Sequence, residues 1–114
     1  MPKITRAISI RQPYVELILK GSKRYEYRST PTHVLERVYL YAAKKPADDI
    51  TAWRKVGREP GELPTGKLLG TVVIAACEGS KKTGYRYKLE CPKRFRTALI
   101  PKSQPQPKFF RPGL

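Results

Sequence analysis

The sequence predicts an α+β domain that is mainly β: a small, partly closed β-barrel of about five or six strands with two short flanking helices. Three observations support this class. The 114 residues suffice for one modest core, short strand-like segments recur along the chain, and two segments have helical spacing. We therefore predict a single domain over residues 1–114, with residues 98–114 as an extended basic C-terminal arm.

The first two elements are a strand and a helix. Alternation of apolar and small residues predicts a strand at residues 7–10. Pro13 suits the first position of a helix, where its missing N–H costs nothing, and apolar side chains follow at helical spacing. A helix over residues 13–20 is therefore predicted, with Gly21 at the position that favours a left-handed residue.

The next segment, residues 23–28, alternates polar and aromatic side chains and is predicted to be a strand. Its period of two places Tyr25 and Tyr27 on one face. Glu26 and Arg28 then share the opposite face.

Residues 37–43 are rich in β-formers and predict a third strand. A second helix follows, with Asp48 and Asp49 in its first turn, where they would favour the helix macrodipole. The expected buried stripe of this helix is formed by Ile50, Trp53 and Val56, and Gly57 is expected to end it.

The second half of the chain predicts a loop, two strands and a tail. Glycine and proline punctuate residues 57–66, a long apolar strand spans 68–77, a turn covers 79–84, and an alternating strand spans 85–90. The two phenylalanines of the tail and Trp53 are expected in the core. The prolines of the tail predict an edge strand or an extended arm: Pro101, Pro105 and Pro107.

Charge is the strongest functional signal in the composition. Lys and Arg number 24 against 9 Asp and Glu, a formal charge of +15. Residues 81–114 hold 10 basic and 1 acidic side chains, a net of +9. Such an excess indicates a polyanionic partner. We expect nucleic acid, ahead of an anionic membrane surface or an acidic protein, and a cytoplasmic location, since the first residues lack an apolar signal segment.

The metal-ligating residues are too few for a standard zinc site, since the chain has only Cys77, Cys91 and His33. We expect free thiols rather than a disulfide. His33 follows a turn and is expected on the surface. No Walker or dinucleotide pattern is present, so we expect neither metal nor cofactor.

Residues 21–28 match the pattern G-x-K-x-x-E-x-R, with Lys23, Glu26 and Arg28 at its defined positions. This motif resembles that of the ASCH family, whose members share the PUA-like β-barrel fold. The neighbouring segments also resemble the family in their order: 8–14, 17–18, 40–46, 68–72, 87–90 and 105–110.

The resemblance implies a cleft beside the barrel, lined by the motif and suited to nucleic acid or a nucleobase. Family members have been proposed as RNA-binding modules. One branch hydrolyses acylated cytidine with the motif lysine and the polar residue three places on, here Lys23 and Glu26, and another branch is reported to cleave RNA. Such a hydrolase needs a further carboxylate, for which Glu78 is the first candidate, with Glu62 and Glu90 as alternatives.

Each motif side chain has a binding and a structural interpretation. Glu26 and Arg28 form either a structural ion pair or a pair in which Arg28 holds a phosphate or base edge. Lys23 binds phosphate, acts as a base in an enzyme, or is a solvated lysine. Arg11 and Gln12 follow the first strand, and the Gln12 amide suits either a base edge or a turn.

The other predicted nucleic-acid contacts are basic residues in turns and in the last third of the chain: Lys44, Lys45, Lys81, Lys82 and Arg86. Aromatic rings are interleaved with basic residues in this last third, a combination that suits single strands and loops. The alternative is a solvated charged face.

Three functions follow, in order of preference. The first is a nucleic-acid-binding module, with RNA preferred to DNA and no membrane partner. The second is a small hydrolase of modified nucleosides, or a ribonuclease, that uses Lys23 and Glu26. The third is an accessory component of a larger ribonucleoprotein or transcription assembly. The charge favours the first and third, because a nucleoside hydrolase has no need of it.

Overall fold

The computed structural model describes residues 3–103, 105–106 and 108–114. Six strands and two helices follow one another in these residues: β1 (Ala7–Ile10), α1 (Tyr14–Leu19), β2 (Tyr25–Arg28), β3 (Arg37–Ala42), α2 (Ile50–Val56), β4 (Lys67–Ser80), β5 (Gly84–Leu99) and β6 (Phe109–Phe110).

All six strands belong to one curled sheet in the order β2-β5-β4-β3-β1-β6. Every neighbouring pair is antiparallel except β1 and β3, which run parallel with Ala7 opposite Tyr39. The curl brings the edge strand β2 near β1. The Arg28 guanidinium in β2 donates a hydrogen bond of 2.8 Å to the carbonyl oxygen of Ser9 in β1. The predicted fold class, a partly closed and mainly β barrel with two short helices, is confirmed.

The concave side of the sheet and one side of α1 form the main core. Its fully buried side chains are mostly aliphatic, as expected for a small barrel: Ile8, Ile10, Val15, Ile18, Val38, Leu40, Val72 and Ile74. A smaller cluster joins the two helices, where Leu17 packs with Trp53. Burial of Trp53 is confirmed, and its indole N–H donates to the Ala47 carbonyl oxygen at 2.9 Å.

The second helix differs from its prediction in two respects. Asp49 lies at the N-cap rather than in the first turn, and its carboxylate accepts the Ala52 N–H at 3.1 Å. Asp48 precedes the helix. Ile50, at its first position, is 68% exposed, so its predicted place in the buried stripe was wrong. The stripe starts with Ala52, one turn after the cap, and Gly57 ends the helix as predicted.

Strands β4 and β5 are longer than predicted. Residues 79–80 continue β4, and the turn is confined to residues 81–83, where the hydroxyls of Ser80 and Thr83 each accept the other residue's N–H. Strand β5 continues through Pro92 to Leu99. The strand tolerates this proline because the register shifts there, so that Cys91 and Pro92 fall between the pairs Thr71–Lys93 and Val73–Glu90.

The tail contributes the last strand. Phe109 and Phe110 pair antiparallel with β1, and Phe110 is buried edge-on against Tyr41. Their predicted role as core anchors is confirmed. Pro107, one of the three prolines behind the arm prediction, lies outside the described residues. In the part of the chain that the structure describes, no helix is long and apolar enough to cross a membrane.

Candidate nucleic-acid interface

The end of α1 fixes where the motif begins. Gly21 adopts a φ of 81°, a left-handed conformation that glycine adopts without strain. The chain then reverses, and the N–H groups of Ser22 and Lys23 both donate to the Leu17 carbonyl oxygen, at 2.9 and 3.0 Å. This turn places Lys23 directly before β2, facing the first turn of α1.

Glu26 is buried between two cations of its own motif. The Arg28 Nε donates to Glu26 Oε2 at 2.9 Å, and Lys23 Nζ lies 3.7 Å from Glu26 Oε1. The side chains of Lys23 and Arg28 are only 19% and 20% exposed. The predicted sharing of one strand face by Glu26 and Arg28 therefore produces an ion pair, with Lys23 as a third member.

Tyr14 and Asp49 complete the surroundings of Lys23. Lys23 Nζ lies 5.2 Å from the ring centroid of Tyr14 and 5.3 Å from that of Tyr27, within the range of cation–π attraction. The Tyr14 hydroxyl donates to Asp49 Oδ2 at 2.7 Å. This hydrogen bond, together with burial, raises the pKa of Tyr14 to about 12. The same bond lowers the pKa of the Asp49 carboxyl, and the charge of Lys23 adds to that effect.

Asp49 was not among the site residues predicted from the sequence. It lies 35 positions from Tyr14 and reaches it because α2 packs against α1. Its local sequence indicates only a helix cap. The carboxylates predicted to support Lys23 are engaged elsewhere: Glu78 pairs with Arg86, Glu90 with Lys88, and Glu62 accepts the Glu59 N–H.

A cleft of about 420 Å³ opens where β1, β2 and the end of β3 meet. It is lined by Ser9, Ile10, Arg11, Tyr14, Glu26, Arg28, Ala43 and Lys45. Three cations and one carboxylate give this lining a net charge of +2. Arg11 and Lys45 are exposed, and neither forms an ion pair within the described residues. The structure thus brings four predicted site residues, Arg11, Glu26, Arg28 and Lys45, to one cleft.

Gln12 lies outside this cleft. Its side chain is fully buried, its amide nitrogen donates to the Pro64 carbonyl oxygen at 3.0 Å, and its amide oxygen accepts the Glu16 N–H at 3.1 Å. These contacts correspond to the turn interpretation of Gln12. We therefore leave Gln12 out of the interface proposed below.

The remaining predicted contacts form a second group. Lys81 and Lys82 are exposed at the tip of the β4–β5 hairpin. Arg86 follows in β5, pairs with Glu78 at 3.3 Å and lies 4.7 Å above the Tyr25 ring. Lys44 is exposed beside Lys45. Among the described residues, no group of three His, Cys, Asp or Glu could hold a metal ion.

The curled sheet and its basic cleft define a small half-barrel domain of mainly β structure. The chain belongs to the ASCH domain family, whose model matches residues 8–102. This membership supports a general RNA-binding or hydrolase-like role.

Solved structures of the family share the fold. The crystal structure of ASCH from Zymomonas mobilis superposes with a TM-score of 0.63 and 13% identity, over 93% of this chain and 85% of that one. A serine-to-alanine mutant of the Zymomonas mobilis protein gives a TM-score of 0.63 and 15% identity, over 93% and 86% of the two chains. No curated protein matches the chain.

Proposed function

We propose that this ASCH domain binds nucleic acid, RNA in preference to DNA, through the cleft around its G-x-K-x-x-E-x-R motif. The convergence of Arg11, Arg28 and Lys45 on one open cleft is the observation that carries the proposal. The preference for RNA rests on the family, and the chain's charge of +15 supports a polyanionic ligand.

The cleft residues differ in exposure and in how they are held. Arg11 and Lys45 are exposed at the rim, where they can reach phosphates at small cost. Arg28 is held at the floor by Glu26 and by the Ser9 carbonyl oxygen, so its guanidinium has a fixed direction. The hairpin tip, with Lys81 and Lys82, adds phosphate contacts beyond the cleft. Such a surface also suits a place within a larger ribonucleoprotein or transcription assembly.

Salt dependence of binding tests this proposal. A labelled single-stranded RNA is titrated by fluorescence anisotropy at several salt concentrations, with the Arg11→Ala/Lys45→Ala variant beside the wild type. If both side chains contact phosphates, the negative slope of log K against log salt becomes shallower in the variant by about 1.4, at about 0.7 per contact for single strands.

A matched control removes the same charge elsewhere. Arg54 and Arg58 line a surface hollow together with four carboxylates, those of Asp48, Asp49, Glu59 and Glu62, so the lining has a net charge of −2. The Arg54→Ala/Arg58→Ala variant is expected to keep the wild-type slope. Equal losses in the two variants would show that only total charge matters, and the cleft would then have no special role.

A hydrolase of acylated nucleosides, or a ribonuclease, is the second candidate. The observation in its favour is the enclosure of Lys23, whose ammonium lies 3.7 Å from a buried carboxylate and near two aromatic rings. In this role the Lys23 amine would transfer the proton in the reaction, and Glu26 and the Tyr14–Asp49 pair would position the Lys23 side chain.

The two candidates separate in a turnover experiment. Wild type, Lys23→Ala and Lys23→Arg are incubated with acylated cytidine and with single-stranded RNA, and products are resolved by chromatography and on a denaturing gel. Product formation that is lost in Lys23→Ala while its melting temperature is retained would establish the enzyme. Intact substrates at enzyme excess would eliminate it.

A further inference from the structure

The outer face of the β2–β5 pair carries alternating rings and cations. The antiparallel register places Tyr25 opposite Lys88 and Tyr27 opposite Arg86. Side chains that face each other across an antiparallel pair project on the same side of the sheet. The four residues therefore form one surface, here called the ring face, on the side opposite to buried Glu26 and Tyr87.

Tyr27 is the exposed aromatic residue of this surface. Its side chain is 65% exposed, although most large rings of the chain pack in the core. It lies between the groove that contains Lys23 and the one formed by Tyr85 and Arg86. A nucleobase stacked on this ring would bury its exposed face between the flanking cations.

The cations of the ring face can change partners. Arg86 and Lys88 pair with Glu78 and Glu90 at 3.3 and 3.5 Å, but all four side chains are about half exposed. Exposed pairs of this kind contribute little to stability, so phosphate groups can replace the carboxylates. The Arg86 guanidinium, already 4.7 Å above the Tyr25 ring, offers a second planar surface for a base.

We infer that the ring face binds unpaired nucleotides of a single strand, with one base stacked on Tyr27. Arg86 and Lys88 contact the adjacent phosphates, and Lys81 and Lys82 at the hairpin tip contact the next ones along the strand. This inference rests on the proposed function and specifies its substrate class. A duplex does not fit the surface, because its bases already stack on each other and expose no free face.

Removal of the Tyr27 ring tests the inference. A single-stranded RNA containing 2-aminopurine is titrated into wild type, Tyr27→Ala and Tyr27→Phe, and anisotropy and base fluorescence are both followed. Loss of one base–aromatic stack weakens binding by about 5- to 150-fold, and about tenfold is expected for a ring this exposed. Tyr27→Phe keeps the ring and should bind close to wild type, with the same fluorescence quenching. Equal melting temperatures of the variants confirm that the fold is intact.

Three results would overturn the inference. The first is wild-type affinity in Tyr27→Ala, and the second is an equal loss for a duplex of the same sequence. The third is competition by an oligoglutamate peptide as effective as that by RNA, which would indicate an acidic protein partner. Failure of the wild type to bind any RNA would remove the proposed function as well, whereas wild-type binding that Tyr27→Ala leaves unchanged removes the ring-face inference alone.

Discussion

Replacement of Glu26 by glutamine should lower stability without weakening nucleic-acid binding. The substitution keeps the size of the side chain but removes the one negative charge between Lys23 and Arg28. Both cations are about four-fifths buried, with side-chain exposures of 19% and 20%. Breaking a buried ion pair by removing one partner costs about 3–5 kcal/mol, because the remaining charge is left without compensation.

The expected cost is smaller for two reasons. The glutamine oxygen still accepts from Arg28, which also donates to the Ser9 carbonyl oxygen, and Lys23 keeps its contacts with Tyr14 and Tyr27. We expect a loss of about 2 kcal/mol. At about 2.1 cal/mol/K per residue, this corresponds to a drop in melting temperature of about 8 °C.

Urea unfolding at neutral pH measures the loss of stability, and RNA titration of the same variant measures binding. Since the cleft lining changes from a net +2 to +3, affinity at low salt should not fall. Glu90→Gln is the control, because Glu90 is half exposed and pairs with an exposed Lys88, so its loss should cost under about 1 kcal/mol. A Glu26→Gln variant as stable as wild type, or no less stable than the control, would refute the view that Glu26 compensates two buried cations.

Two further predictions concern packing and pH. Gly70→Ala should lower the free energy of unfolding by about 3 kcal/mol, because a Cβ there would overlap the carbonyl oxygen of Lys93 and lie 2.8 Å from a Leu19 methyl. Calorimetry measures this loss. Gly57→Ala is the control: its Cβ would meet no atom within 4 Å, so only the strain of its left-handed backbone should lower stability. The hydrogen bond to Asp49 raises the pKa of Tyr14 from 10.0 to about 12 in the folded chain, so the unfolded chain loses the Tyr14 proton at lower pH and stability falls as pH rises between these values. Tyr14→Phe should therefore lose less stability than wild type across that interval in urea unfolding, and an unchanged slope would contradict the assignment.

Local sequence signals were sufficient for most of the fold. Gly21 and Gly57 end their helices as predicted, because a left-handed residue after a helix is a local requirement. The length of β5 was not predictable, since Pro92 normally interrupts a strand and is tolerated only through a register shift that depends on β4. The prediction that Ile50 is buried was wrong. Ile50 has the helical spacing of three from Trp53, but it is the first residue of α2 and faces outward.

The site was predictable where it is encoded along one strand. The pairing of Glu26 with Arg28 follows from the period of two, and the family motif indicated Lys23. The contact of Tyr14 with Asp49 was not predictable, because it depends on how α2 packs against α1. The buried position of Gln12 also depends on a distant partner, the Pro64 carbonyl oxygen. Sequence separation, rather than residue type, decided which contacts could be foreseen.

The parallel pairing of β1 with β3 also affects the order of folding. The β4–β5 hairpin joins neighbours in sequence and can close early, whereas β1 and β3 must enclose the intervening segment of α1 and β2. The cleft draws on β1, β2 and the chain after β3, so it is complete only when this slow, non-local step has occurred. A ligand in the cleft would therefore stabilise contacts made late in folding. Its kinetic effect would be to slow unfolding, with little acceleration of folding.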